Sequence, residues 1–377
     1  MATYYVKPTG SNANAGTSTA LAWATITYAL GATSGFASGD TLWVAAGVYR
    51  EVCTVGMTNP TATTYIKGDT DGAIFGTAGE CRITGFTTND DSTGSASAAM
   101  AVTSKNYLYF QNLKFEGAAG SGFTSASSTN LTLDRCICTT TGSSQGIRID
   151  ISANVTANHL VKNCFVIGRS NVFQIVGNAP SSGDRDMGMT IENCFVVTSI
   201  GNCIFFTTGS GTGTLSGVKV TNCTTLGGTG GIFINTALYR SSTASVTVRN
   251  CLLLAHTNSL VANVSGQMDE DYCRFVTFAT QRTLVTNTPG NDISNGVYGL
   301  DFTGGFMTGA SRNLFLMPNI SNVVSGDGTA TGAPATDIYG YTRPSPPSVG
   351  AAEANPLPTA SGGGLITHPG MSGGMRG

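Results

Sequence analysis

The stretch Thr190-Ile-Glu-Asn-Cys-Phe-Val-Val-Thr198 decides the fold of this chain of 377 residues, because it recurs along the sequence. Four stretches match it in register and a fifth is a degenerate copy: residues 132–140, 160–168, 219–227, 247–255 and 269–277. Their cysteines follow one another at steps of 28, 30, 29, 28 and 22 residues. A period of about 20 to 50 residues is typical of repeat architectures, in which each repeat forms one coil of the chain.

Each repeat carries the signals of strands. Apolar and β-branched residues fill the stretches, and a second apolar run follows roughly 8 to 11 residues after each cysteine, as in Val172-Phe-Gln-Ile-Val176. Clusters of Gly, Ser, Thr and Asn separate the runs, and no segment keeps a 3.6-residue period long enough for a helix of several turns. Short strands that pair with the equivalent strands of the next coil predict an all-β chain folded as a parallel β-helix.

Two residue ladders should run along this coil. An asparagine precedes the cysteine in four repeats, and it tolerates the left-handed backbone of a sharp bend between strands. The cysteine behind it is small and apolar, and suits a narrow interior stack. Because no Cys-x-x-Cys pair occurs, we expect reduced, metal-free thiols. The predicted ladder residues are Asn163, Asn193, Asn222, Asn250, Cys136, Cys164, Cys194, Cys223 and Cys251.

Composition narrows the possible partners. Nineteen basic and 21 acidic side chains give a net charge of −2, charged residues are only 11% of the chain, and no basic run exists, so nucleic acid is not an expected partner. The chain contains no run of 18 apolar residues, so no membrane span is predicted. The amino terminus has neither a charged leader nor an apolar core, so we expect synthesis in the cytoplasm without a signal peptide.

Both ends of the chain carry phrases that identify a superfamily. Residues 4–16, 23–30 and 39–51 read as a strand, a Gly/Asn turn, a short Ala-containing helix and a Gly-Asp-Thr coil, and residues 337–353 supply a closing phrase with Arg343-Pro344 and Gly350-Ala351. Here the chain resembles pectate-lyase-like right-handed parallel β-helix proteins, and in particular bacteriophage virion and tailspike-type members. The resemblance implies a right-handed solenoid whose first helix plugs the open end.

The predicted organisation has four parts. Residues 1–80 form the amino-terminal cap and first coils, 81–290 the β-helix repeats, 291–356 the closing segment and 357–377 a Gly-rich tail. The tail cannot build a core of its own. It is either an isolated terminus or a docking segment that anchors on a neighbouring subunit through four apolar side chains: Leu365, Ile366, Met371 and Met375.

Candidate catalytic residues are few. Asp184, Arg185 and Asp186 fall in a predicted inter-strand loop, residues 180–188, where they are either functional or a solvated turn with a local ion pair. Arg148 and Asp150 should point outward from one strand. The acidic run 269–271 either ends the stack or, as a weaker alternative, binds calcium.

The chain lacks the usual signatures of catalysis. Its three histidines, His159, His256 and His368, are scattered, and no phosphate loop occurs. No cofactor or metal is implied. We therefore expect a non-catalytic structural virion protein of a bacteriophage, namely a capsid decoration, head fibre or tailspike-like appendage.

Such a protein would contact other virion proteins and form a homo-oligomer, with a trimer favoured by the resemblance. The alternative is a polysaccharide lyase or glycoside hydrolase that acts on bacterial surface polysaccharide. A non-enzymatic bacterial surface adhesin is a third hypothesis.

Overall fold

The computed structural model describes residues 1–152, 156–180, 182–209, 213–235, 245–283, 285–287, 328–338, 342–347 and 349–351. The predictions for residues 288–327 and 352–377, including the four tail anchors and His368, lie outside this part. In the described residues no helix is long and apolar enough to cross a membrane.

Strands dominate the described chain. The first fourteen are β1 (Thr3–Val6), β2 (Thr41–Ala45), β3 (Gly47–Arg50), β4 (Cys53–Thr54), β5 (Thr64–Asp69), β6 (Cys81–Thr84), β7 (Met100–Thr103), β8 (Leu108–Gln111), β9 (Lys114–Gly117), β10 (Phe123–Ala126), β11 (Thr132–Asp134), β12 (Ile137–Thr140), β13 (Ile147–Ile151) and β14 (Leu160–Lys162). The others are β15 (Phe165–Gly168), β16 (Phe173–Gly177), β17 (Asp184–Glu192), β18 (Phe195–Thr198), β19 (Asn202–Thr208), β20 (Thr214–Thr221), β21 (Thr224–Leu226), β22 (Gly230–Ile234), β23 (Val246–Arg249), β24 (Leu252–Val261), β25 (Met268–Asp271), β26 (Arg274–Thr283) and β27 (Thr286–Asn287).

The strand order is that of a right-handed parallel β-helix, as predicted. Sheet A runs β1-β2-β5-β8-β11-β14-β17-β20-β23-β25-β27, so that one strand in three enters it. Sheet B runs β3-β6-β9-β12-β15-β18-β21-β24 and returns through β22-β19-β16-β13-β10-β7-β4, because the long strand β24 pairs with both β21 and β22. Each coil thus gives one strand to sheet A and two to sheet B, and the paired strands are parallel.

The first helix closes the amino-terminal end of the coil. Helix α1 (Ile26–Ala29) is a single turn in which Ile26 and Ala29 are buried. Both Glu51 carboxylate oxygens accept from its first amides, Oε1 from Ile26 N at 2.8 Å and Oε2 from Thr27 N at 2.9 Å. These bonds satisfy amides that a helix start leaves open and favour the positive end of its dipole. The predicted capping helix is confirmed.

The corner between sheet A and sheet B repeats with the period of the sequence. One residue per coil adopts a left-handed backbone there, with φ between 51° and 55°: Asn112, Arg135, Asn163, Asn193, Asn222, Asn250 and Tyr272. We call this row the asparagine corner. Its amides bond from coil to coil, since Asn193 Nδ2 donates to Asn163 Oδ1 at 3.2 Å and Asn250 Nδ2 to Asn222 Oδ1 at 3.3 Å.

The cysteines behind this corner fill the interior, as predicted. All ten cysteines of the chain are free and buried. In the ladder each thiol faces a backbone carbonyl of the preceding coil: Cys164 Sγ lies 3.6 Å from Leu133 O, and Cys194 Sγ lies 3.5 Å from Val161 O. A small, weakly polar side chain fits this position because it reaches a carbonyl without filling the space that the neighbouring coil needs.

Candidate functional site

The prediction of a loop around Asp184, Arg185 and Asp186 is wrong. These residues open strand β17 and pair in register with Thr214, Leu215 and Ser216 of β20. Strand β20 of the next coil pairs with this stretch, and the pairing outweighs the turn-forming composition of residues 180–188. Strand alternation then separates Arg185 from Asp184 and Asp186, because neighbouring residues point to opposite faces of a sheet. Arg185 is buried, whereas Asp184 and Asp186 are exposed.

Each of the three side chains is hydrogen-bonded to a neighbouring part of the chain. The Arg185 guanidinium donates from Nη1 to the carbonyl of Ser152, and Asp184 Oδ1 accepts from the hydroxyl of Thr214. Asp186 Oδ1 accepts from the amide of Gly188 at 2.7 Å. A Cβ added to Gly217 would lie 1.6 Å from the same oxygen, so only glycine fits beside it. The three side chains therefore make structural contacts, and the Arg185 guanidinium lies on the face of the sheet opposite to the two carboxylates.

Arg148 and Asp150 lie where the sequence predicts, on the outer face of β13. Their side chains form an ion pair, with Arg148 Nε at 3.0 Å from Asp150 Oδ1, and they stay partly exposed. Arg148 stands in register with Gln174 of β16, and Gln174 with Phe205 of β19. Hydrolysis of a glycosidic bond requires two carboxyl groups that face each other across the bond. Beside Asp150 the register places Ala126 and Val176, so the adjacent strands put no second carboxylate next to Asp150, which is itself paired with a guanidinium.

The early coils hold a charged cluster that the sequence analysis missed. Arg82 Nε donates to Glu116 Oε2 at 2.6 Å, and Arg82 Nη2 donates to Asp91 Oδ2 at 2.7 Å. Arg50 Nη1 binds the other oxygen of Asp91 at 2.9 Å, and Thr84 Oγ1 donates to Glu116 at 3.2 Å. Arg50, Thr84 and Glu116 occupy the same register position of β3, β6 and β9. The signal that the sequence analysis missed is this register, because the early coils lack the repeated Asn-Cys phrase from which it could be counted.

The ion pairs of this cluster hold Asp91 in its ionised form. Burial by itself would raise the pKa of Asp91, but hydrogen bonds and charge from Arg82 and Arg50 outweigh it, and the pKa is lowered. A carboxylate held ionised by two guanidinium groups is a poor general acid. Because Asp91 belongs to the segment that leaves β6, its ion pairs fasten that segment onto the outer face of the coils.

A second prediction, that the acidic run 269–271 ends the stack, is wrong. The acidic run does not end the stack, because β25 continues sheet A and pairs with β23 and β27. Asp269 forms an ion pair with Arg249, with Asp269 Oδ2 at 2.5 Å from Arg249 Nη2. Glu270 is fully buried in register with Val248. In the described ranges no three His, Cys, Asp or Glu side chains converge as a metal site would require, so the calcium alternative finds no support.

Two of the three histidines lie in the interior. Burial lowers the pKa of both His159 and His256 to about 4, so both rings are neutral at physiological pH. His159 Nδ1 accepts from the amide of Leu131 at 3.2 Å, and His256 Nε2 lies 2.8 Å from Thr225 Oγ1. These rings serve the packing of the coil, because a substrate cannot reach them.

The asparagine corner has a function that the repeat alone does not reveal. Asn193 Oδ1 accepts from Arg343 Nη2 at 2.8 Å, and Asn193 Nδ2 donates to Thr336 O at 2.6 Å. Two coils further on, Asn250 Nδ2 donates to Thr329 O and its Oδ1 accepts from Thr329 N, both at 2.8 Å. The corner amides thus bind the described part of the closing segment along the outside of the coil.

Comparisons with known proteins give similarity of fold and no more. No family model and no curated protein matches the chain. Among solved structures, the chain is similar to Escherichia coli YbhC (13% identity, 74% of this chain, 71% of that one, TM-score 0.41), to pectate lyase Pel9A (13%, 94%, 97%, 0.45) and to the Aspergillus niger pectin methylesterase (15%, 73%, 87%, 0.35). Similarity this low bears on no activity, and the architecture of the chain follows from its own strand order.

Proposed function

We propose that this chain is a non-catalytic structural protein of a bacteriophage particle: a capsid decoration, head fibre or tailspike-like appendage. One observation carries the proposal: the polar side chains that would have to act in catalysis bind segments of the chain to one another. Arg185 binds Ser152, Asp91 joins Arg50 to Arg82, and Asn193 binds Arg343. Such a surface supports a rigid spacer.

The coil suits that role physically. In the described residues the coils bond to one another through parallel ladders, and sheet edges, where proteins are open to aggregation and proteolysis, lie only at the ends of this stack. Helix α1 covers one of these ends. Buried thiols, aromatic rings and aliphatic side chains form a continuous interior from Val6 to Phe275. A particle component must survive outside the cell, and this construction resists local opening because few residues can leave without breaking ladder bonds on both sides.

Assembly is the first test of the proposal. An antibody raised against the chain should label purified phage particles from cells that carry the gene, and sedimentation equilibrium of the purified chain should show a closed homo-oligomer, with a trimer expected from the resemblance. A chain found only in the soluble fraction of the cells, and absent from particles, would refute the structural assignment.

Activity is the second test, because the alternative is an enzyme that cleaves bacterial surface polysaccharide. We expect no release of reducing ends or unsaturated sugars from capsular polysaccharides, and identical behaviour of the wild type, Asp184→Ala and Asp186→Ala. Cleavage that disappears in either variant would move the protein to the lyase or hydrolase class. Cleavage that survives both variants but is lost in Asp150→Ala would place the active site on the outer face of β13.

A further inference from the structure

The outer face of sheet B carries apolar side chains at positions where strand alternation would place polar ones. The first register row runs through Ile137, Phe165, Phe195, Thr224 and Leu252. The second runs through Ile167, Val197, Leu226 and Leu254. We call these two rows the outer apolar strip. They face away from the interior, because the residues that alternate with them, such as Cys138 and Val166, belong to the core. An apolar strip on the outside of a coil marks an interaction surface.

The closing segment packs on the carboxy-terminal half of the strip. The amide of Ala351 donates to Thr224 Oγ1 at 3.0 Å, and the amide of Gly350 donates to Asn250 O at 2.7 Å. A Cβ added to Gly350 would lie 3.1 Å from Leu252 Cβ, so the backbone of the segment touches that side chain. Thr224 and Leu252 are only 4% and 3% exposed as a result.

The amino-terminal half of the strip is less well covered. In the second row Leu226 and Leu254 are buried, whereas Ile167 and Val197 are half-buried and keep part of their side chains open to solvent. Exposure thus changes within one row, between Val197 and Leu226. The change falls at the coils where the described part of the closing segment ends.

The closing segment runs along the coil toward this less covered half. Gly350 N bonds at the level of Asn250, whereas the carbonyl oxygen of Ala351 is 3.0 Å from Arg343 Nη2, which itself donates to Asn193. Asn250 and Asn193 are two coils apart, with Asn193 nearer the amino terminus. At Ala351 the chain is therefore directed toward the coils of Ile167 and Ile137.

We infer that the next residues, 352–358, which lie outside the described part, cover the rest of the outer apolar strip, with Leu357 as the anchor against Ile137 and Ile167. Both isoleucines are half-buried on adjacent coils. The occupant of this surface is thus a segment of the same chain. The inference does not rest on the proposed function.

The reach and the composition of this segment fit the strip. Ile137 lies three coils from Thr224, which is about 14 Å for coils about 4.8 Å apart. Six residues of extended chain span up to about 20 Å, so Leu357 can reach it from Ala351. Leu357 stands between Pro356 and Pro358, and a residue before proline favours an extended backbone. Prolines also have less backbone freedom to lose when the segment is ordered.

The width of the strip favours this occupant over a second copy of the chain. A stable interface between two proteins buries about 800 Å² on each partner. The half-buried part of the strip offers only three side chains: Ile137, Ile167 and Val197. One extended segment matches that width. Because the segment is tethered at Ala351, its effective concentration at the strip also exceeds that of a separate molecule.

A thiol placed on the strip measures the cover. The ten native cysteines are buried, so Ile167→Cys in the full chain supplies a thiol that reacts selectively with a maleimide. Adding Leu357→Ser should raise its rate of reaction about tenfold, because the anchor loses much of the free energy of burying a leucine. Leu365→Ser is the matched control: it makes the same substitution beyond the segment and should leave the rate unchanged.

Cross-linking identifies whose segment covers the strip. The double variant Ile167→Cys, Leu357→Cys, treated with a short bis-maleimide, should give a product of monomer mass in which the two peptides are joined. Lys219→Cys with Leu357→Cys is the control pair, because Lys219 is exposed on sheet A, and it should give little product. A cross-link that joins two chains would assign the strip to the segment of a neighbouring copy and overturn the inference.

Three further outcomes would overturn it: no change in the rate at Ile167→Cys on adding Leu357→Ser, an equal rise with Leu365→Ser, or equal cross-linking of the Lys219 pair. Far-UV circular dichroism shows whether the Leu357→Ser variant is folded. If it is not, the cross-link still tests the contact, because that variant keeps an uncharged, compact side chain at both positions. Absence of the chain from phage particles would refute the proposed function and leave this inference standing.

Discussion

Arg343 donates a hydrogen bond from Nη2 to Oδ1 of Asn193, a residue 150 positions earlier in the chain, at a distance of 2.8 Å. The same guanidinium nitrogen donates to the carbonyls of Gly350 and Ala351, each at 3.0 Å. One buried cation therefore ties the closing segment both to itself and to the corner of the coil. A buried guanidinium is costly unless its donors are bonded, and here one amide oxygen and two backbone carbonyls accept from Nη2.

Replacing this cation should release the closing segment and leave the coil intact. In Arg343→Met we expect the free energy of local opening to fall by about 2 kcal/mol, the size of a lost charge-assisted hydrogen bond. Hydrogen exchange at the amides of Ile338 and Gly350, which donate to Ala351 O and Asn250 O, reports this opening. Arg148→Met is the control, because it removes an exposed ion pair elsewhere. Unchanged exchange in Arg343→Met would mean that other contacts hold the segment.

Substitution in the asparagine corner should separate backbone strain from lost hydrogen bonds. Asn222 is fully buried with φ at 51°, and its Oδ1 accepts from Asn250. Asn222→Gly keeps the left-handed backbone accessible and loses the amide, at a cost of about 1 kcal/mol. Asn222→Ala loses both, and should cost about 1 kcal/mol more. Urea unfolding of the two variants gives the comparison, and an alanine variant as stable as the glycine variant would contradict it.

The thiols should be unreactive in the folded chain. A thiol reagent at pH 8 should modify none of the ten cysteines before unfolding and all ten in guanidinium, because all are free and buried. Recovery of few thiols after unfolding would show that disulfides or a bound metal had formed.

The same burial makes stability fall at alkaline pH. It raises the pKa of Cys81 and Cys203 from 9 to about 12. Since the folded pKa lies above the unfolded one, the stabilisation is complete below pH 9 and is lost as the pH rises toward 12. Thermal melts between pH 8 and pH 11 should show the decline. A flat profile for the wild type would contradict it, and a smaller slope in Cys203→Ala would assign part of it to that thiol.

Stability should also fall at acidic pH, through the buried histidines. Burial lowers the pKa of His159 from 6.5 to about 4, so its neutral form stabilises the folded chain above pH 6.5 and the contribution disappears as the pH falls toward 4. The full effect is about 3 kcal/mol. His159→Leu should lose the hydrogen bond to Leu131 and yet show a shallower loss of melting temperature between pH 6.5 and pH 4. Parallel curves for variant and wild type would rule out this titration.

Local residue chemistry explains why the coil was predictable. A left-handed corner favours asparagine, which occupies five of its seven positions, and a narrow interior stack favours a small apolar side chain, so both leave a mark that recurs along the chain. Cys194 and Asn193 lie where the repeat predicts for this reason. The alternation that places Arg148 and Asp150 together on the outside of β13 is equally local. It needs only two side chains that are two residues apart on one strand.

The contacts that the sequence did not predict join coils of unequal length. Asp184 belongs to strand β17 because strand β20 pairs with it. The turn-like composition of the stretch does not indicate that neighbour. Arg82 meets Glu116 only when the strands are in register, and the early coils lack the repeated Asn-Cys phrase from which to count. The sequence by itself determined the coil, its interior and its corner, because each depends on residues close along the chain. Tertiary structure alone decided the Arg343–Asn193 contact and the ion pair of Asp91 with Arg50, because each joins side chains that are far apart along the chain.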